Sequence, residues 1–252
     1  MEQRLLREVS TDNQNLKYFP ILSMIYIAGM MTSLTVSARL LPLHIPMTNF
    51  TILLTAGTWT IPLSFFIQDI TTEVYGYAQS RYLVQITMII LVAYIAYLKL
   101  TTLFPEPHNI VSIDRSYNTV FNTLPRHLLA LLAAIFTGNL VNDYILSTLK
   151  KKLKGRYLPF RFIGATIIGE LVLQLAGTTV AWFGHLHFTT EILPFILFSY
   201  VYKIVFEAIL TPVNVVVCGW LKQAEGIDAY DDDVDYNPFS TRRKRNPKGG
   251  KK

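Results

Sequence analysis

The chain has 252 residues, 51% hydrophobic and only 16% charged, with a formal net charge of +6 and a mean hydropathy of +0.34. A soluble domain averages about 25% charged residues, so the deficit argues for a membrane rather than the cytosol. The basic excess lies between apolar runs, where it reads as a topology signal and against nucleic-acid binding. The single cysteine, Cys218, excludes an intrachain disulfide and a thiolate metal cluster.

Residues 1–17 are polar and too hydrophilic for a cleaved signal peptide, so the first apolar segment is expected to be retained. A helix needs about 20 apolar residues to cross the hydrocarbon, and six segments qualify: residues 18–38, 50–70, 82–98, 127–149, 162–183 and 192–221. With the amino terminus inside, Arg39, Lys99, Arg115 and Arg126 fall outside and Lys203 lies within the membrane. Every other Lys and Arg is then cytoplasmic, as the positive-inside rule requires. The expectation is an all-α integral membrane protein of six transmembrane helices in a compact bundle, with both termini cytoplasmic. Residues 1–17 form a cytoplasmic segment, 18–221 the membrane domain and 222–252 a charged cytoplasmic tail. That tail runs from acidic (Glu225, Asp228, Asp231) to basic (Arg242 onward) and is expected to be solvated or to lie on anionic lipid. The outer loop 99–124 carries Phe104, Tyr117, Val120 and Phe121 and is expected to lie on the bundle mouth.

Polar and ionisable residues recur one turn apart inside these spans: Asp69/Glu73, Asn139/Asp143, Glu170/Gln174 and Lys203/Glu207. An i, i+4 spacing puts each pair on one helix face. Charge in hydrocarbon costs roughly 2.5–3.5 kcal/mol per residue on insertion scales, so it persists where it faces a polar interior. These eight residues are therefore the candidates for lining a substrate site. Several also have a plainer reading. Asp69 and Glu73 could be an acidic helix end paired with Arg81 or the basic loop, Asn139 and Asn142 could tie helices together, and Lys203 with Glu207 could be an internal salt bridge. Thr166 continues the Glu170/Gln174 stripe, and Pro212 offers a hinge in the sixth span. Gly29, Ser33 and Ser37 form a small-residue stripe expected as a packing seam, within the chain or in a homo-oligomer. His185, His187 and Glu191 are a weak metal pattern, so no metal or cofactor is expected, and motifs for a catalytic nucleophile or a phosphate loop are absent. The composition thus points to a transporter rather than an enzyme.

Three stretches carry a resemblance: Asp69–Gly76; Asn139-Leu-Val-Asn-Asp143 followed by a basic loop ending at Arg161; and Tyr202-Lys203-x-x-x-Glu207-x-x-x-x-Pro212. The last continues into Leu221-Lys222-x-x-Glu225-x-x-Asp228 and Asn237-Pro238-Phe239. In order and spacing the chain resembles the queuosine precursor transporters, within the wider vitamin uptake transporter group. The resemblance implies six helices and import of 7-cyano-7-deazaguanine, 7-aminomethyl-7-deazaguanine or queuine across a bacterial inner membrane. It departs in the fifth span, where relatives carry a small-hydroxyl pair and an aspartate but this chain reads Ala165-Thr166 and Leu173, leaving Glu170 as the nearest carboxylate. A 7-deazaguanine offers a lactam N–H beside an exocyclic amine, which one carboxylate can accept in bidentate fashion. Tyr75, Phe136 and Tyr200 are expected to stack on the ring. Two rival readings share the sequence: a substrate-binding subunit energised by a separate ATPase chain, and a non-transporting membrane scaffold.

Overall fold

A computed structural model describes residues 16–44, 51–105, 111–231 and 234–237. The amino-terminal segment before residue 16 and the basic end of the tail from Pro238 onward lie outside the described residues. Among those described, five helical segments are long and apolar enough to cross a membrane. The first is α1 (Phe19–Val36), followed by a two-stranded hairpin, β1 (Leu40–His44) and β2 (Thr51–Thr55), then a 3₁₀ turn (Ala56–Trp59) and the short helix α2 (Ile61–Tyr75). Next come α3 (Tyr77–Thr101), the amphipathic α4 (Val111–Phe121), α5 (Leu124–Ala134), a π turn (Ile135–Asn139) and α6 (Leu140–Lys152). The last two long helices are α7 (Leu158–Trp182) and α8 (Leu193–Glu225), the latter entered through a π turn (Phe188–Ile192) and unbroken through Pro212.

The bundle is helical as expected, but the apolar run at 50–70 is not one continuous span. Its β-branched residues pair in an antiparallel ladder, from Leu40 opposite Thr55 to His44 opposite Thr51. An isolated hairpin is marginal; Ile52 and Leu54 anchor this one by packing on Phe195 of α8. Pro62 then sets the start of α2, where its missing N–H costs nothing. At 15 residues α2 is about 22 Å long, shorter than the hydrocarbon core. It is also the most enclosed helix, touching α1, α3, α6 and α8, so it carries polar residues that a lipid-facing helix could not.

The Gly29/Ser33 stripe does form a packing seam inside the chain: a Cβ at Gly29 would lie 2.3 Å from Ser64 Oγ, and Ser33 donates to the Gly57 carbonyl. The loop over 111–121 forms α4, whose Tyr117 hydroxyl meets Thr101 at 2.6 Å.

Candidate functional site

Three polar layers stack along α2 from the hairpin end to Gly76. The first is a chamber between α2, the π turn, α6, α7 and α8, lined by Asp69, Asn139, Asn142, Thr166, Glu170, Lys203 and Glu207, with Phe65 and Phe206 as its aromatic walls. The π turn at Ile135–Asn139 widens the helix by a residue, sets Gly138 against α7 and turns Asn139 toward Gln68 of α2. Such turns recur at functional sites. Gly138 must be glycine: a Cβ there would stand 2.3 Å from Leu173 Cβ and 3.0 Å from the Gly169 carbonyl. Three carboxylates face one ammonium. Lys203 donates to Glu170 at 2.8 Å, Asn214 donates to Glu207 at 3.1 Å, and Asn142 donates to Asp69 at 2.7 Å. The Oδ1 of Asn142 has no hydrogen-bond partner among the described residues. Lys203 thus pairs across to α7, not with Glu207 on its own helix. The chamber encloses about 20 Å³, room for about one water.

Behind the chamber lies a second layer around Asp143, which is fully buried and accepts from Gln68 Nε2 (3.0 Å), Thr72 Oγ1 (2.8 Å) and Ser80 Oγ (2.7 Å). Gln68 Oε1 accepts in turn from Asn139 (2.7 Å) and Tyr26 (3.0 Å). Asp143 is therefore a satisfied hub tying α2, α3 and α6, not a lining residue. Its partner Gln68 escaped the sequence reading; the only signal for it was an amide preceding Asp69 in an otherwise apolar run.

The third layer, at the Gly76 end, is a charged seal. Glu73 receives a bidentate Arg161 (2.6 and 3.1 Å) and Lys222 (2.6 Å), with Lys150 at 3.4 Å. Lys150 and Lys222 also pair with Asp228 at 2.7 and 3.0 Å. Glu73 thus belongs to this seal and not to the chamber. Arg81, the other sequence-suggested partner, donates instead to the carbonyls of Asp235 and Asn237.

The first part of the tail is docked on that end rather than solvated. Ala229 N–H donates to Val74 O, and Asp231 accepts from Tyr77 N–H and Ser147 Oγ. Asp231 thereby caps α3, where the helix dipole favours an anion. Gly76, at φ +86°, breaks the chain between α2 and α3, and a Cβ there would meet Asp231 at 2.8 Å. Burial raises the Asp231 carboxyl above its ordinary value despite these donors. Asp228 is opposed by burial too, but Lys150 and Lys222 hold it below the ordinary value.

Gln174 lies outside the chamber, in a second cavity of about 100 Å³ on the hairpin side, lined also by Ser33, Thr58, His127, Thr178 and Trp182. Phe65, Leu173 and Lys203 line both cavities. Of the aromatics expected to stack on a ligand, Tyr75 hydrogen-bonds Glu225, Tyr200 donates to the Ile167 carbonyl, and Phe136 packs in the core; Phe65 and Phe206 occupy that place. Glu191 accepts from the His187 backbone, and among the described residues there is no group of three or more His, Cys, Asp or Glu that could hold a metal.

No curated protein and no solved structure matches the chain. The family model described as "Putative vitamin uptake transporter" matches residues 55–217, which takes in α2 through most of α8 and every residue lining the chamber. Because that match covers more than half of the sequence, this chain belongs to the vitamin uptake transporter family.

Proposed function

We propose that the protein imports queuosine precursors, 7-cyano- and 7-aminomethyl-7-deazaguanine and queuine, across the bacterial inner membrane by alternating access around the chamber. Both termini are cytoplasmic in this reading, and α2 is the sixth crossing, exempt from apolar composition because protein encloses it. The Gly76 end with its basic loop is then cytoplasmic and the hairpin end outside.

The observation that carries the substrate class is the chamber's chemistry: three carboxylates, three amides and one ammonium between aromatic walls. A carboxylate accepts the lactam N–H and exocyclic amine together. Asn142 Oδ1, left without a donor, is answered by a ring N–H, and Phe65 and Phe206 cover the faces. Among the described residues Asp69 and Glu207 have no cationic partner of their own, which suits the ammonium of an aminomethyl substituent. With room for about one water the chamber is too small for a ring, and in this reading α8 moves relative to α2 and α7 to admit one.

A ligand that binds only the folded protein stabilises it by about 2.7 kcal/mol at 100 times its Kd. Purified protein is therefore expected to melt at higher temperature with 7-deazaguanines and not with adenine. Liposomes containing this protein alone should accumulate the base without an ATPase. No shift with any 7-deazaguanine at saturation would sink the substrate assignment, and a shift without uptake would favour a subunit energised by another chain.

A further inference from the structure

We propose that the hairpin-side cavity is a second ligand station, taking the flat heterocycle before it reaches the chamber, with Lys203 and Phe65 as the partition between the two. This inference rests on the transport reading above and adds a site to it.

The two cavities share a wall and nothing else. At that wall the Lys203 ammonium lies 5.1 Å from the centroid of the Phe65 ring while donating to Glu170 at 2.8 Å. Lys203 is 4% exposed, so it is held by a carboxylate on the chamber side and a ring face beside it. Towards Gly76 the chamber is closed by the Asp143 layer and then by the Glu73 seal. A ligand arriving from the hairpin side therefore meets the larger cavity first and passes Lys203 and Phe65 to reach the carboxylates.

The chemistry of the larger cavity differs from that of the chamber in kind. Among the described residues its lining holds no carboxylate: the indole of Trp182 and the ring of Phe65 offer flat faces, and Gln174, Thr178, Thr58 and His127 offer neutral donors and acceptors. Its one fully charged group is Lys203. Such a lining takes a neutral planar ring with amide-like edges and gives no advantage to a cationic substituent. Selection for ring shape belongs to this station and selection for charge to the chamber. Passage between them requires Lys203 to leave Glu170, which frees that carboxylate to accept from the incoming ring.

Labelling of an introduced thiol tests this. Thr178→Cys places a reporter in the larger cavity alone, and the natural Cys218 is buried. The full chain in nanodiscs is treated with a membrane-impermeant methanethiosulfonate, with and without 7-cyano-7-deazaguanine. The same measurement is repeated with Asp69→Asn and Glu207→Gln added to disable the chamber. The expected result is at least several-fold slower labelling with ligand in both backgrounds. Protection that vanishes once the chamber is disabled means the effect is transmitted from a single site, and the station does not exist. Absence of protection in a parent that still shows the ligand-induced rise in melting temperature also overturns the station while leaving the transport reading intact. Absence of both effects sinks the two together. Ser37→Cys, at a second lining position, repeats the test should Thr178→Cys fail to fold.

Discussion

Replacing Glu73 by Gln removes the centre of the seal at the Gly76 end. Within that cluster Glu73 and Asp228 face three cations, Lys150, Arg161 and Lys222. Arg161 and Glu73 are wholly buried and Lys150 is 3% exposed, whereas the Asp228 side chain is 43% exposed. Without the Glu73 charge, the three cations face one half-exposed carboxylate, and Arg161 is left with neutral acceptors, the carbonyls of Gly155 and Arg156 and the amide oxygen of the new glutamine. Breaking a buried pair by removing one partner costs about 3–5 kcal/mol, and Glu73→Gln is expected within that range. Lys222→Met makes the contrast. It leaves Glu73 with Arg161 and Lys150, balances the charges of the cluster, and forfeits one charge-assisted hydrogen bond to Glu73 worth about 1.5–3 kcal/mol and a pairing with half-exposed Asp228 worth about 0–1 kcal/mol. Equilibrium unfolding in mixed detergent micelles measures both. A Glu73→Gln loss no larger than that of Lys222→Met would refute Glu73 as the hub of the seal.

Three further outcomes follow from the same geometry. Asp143→Asn turns an amide donor toward Gln68, Thr72 and Ser80, which already donate there; thermal unfolding should show a loss of about 1–3 kcal/mol, with the ligand-induced shift retained. Gly138→Ala must push the π turn and α7 apart at backbone level and should cost about 1–3 kcal/mol by overpacking. Gly219→Ala on α8, with nothing within 4 Å of the added methyl, should be neutral or stabilising by up to about 1 kcal/mol in the same assay. Tail docking should also depend on pH. Asp231, raised above its ordinary 3.8, binds its proton more tightly when docked, so its contribution is present at low pH and lost as pH rises through the raised value. Asp228, lowered from 3.8, contributes above that value and loses its contribution as pH falls through the lowered one. Docking is therefore tightest near pH 4. Hydrogen exchange of the Ala229 amide, corrected for intrinsic rate, should slow as pH falls from neutral toward 4, and Asp231→Asn should remove that slope; a slope unchanged in the variant refutes the assignment.

The sequence by itself determined the membrane character, the long helices and the inward convergence of polar faces. These follow from local quantities: twenty apolar residues in a row suit only the bilayer or a large core, and i, i+4 spacing fixes which side chains share a face. Asp69, Asn139, Glu170, Lys203 and Glu207 were legible on those grounds and do meet around one chamber. What the tertiary structure alone decided is which charge answers which. Glu73 and Asp143 looked equivalent to Asp69 by composition, yet one is neutralised by three cations and the other is saturated by neutral donors from other helices. The run at 50–70 misled for a related reason: hydropathy measures a segment against lipid, and α2 is largely covered by protein, so neighbouring helices rather than its own composition set where it could begin and what it could carry. The docked tail was hidden likewise, because Asp228 and Asp231 read as solvated charges until Lys150, Lys222 and the amino end of α3 were placed around them. A carboxylate's role in this bundle depends on partners distant in sequence, and only the fold brings them within reach.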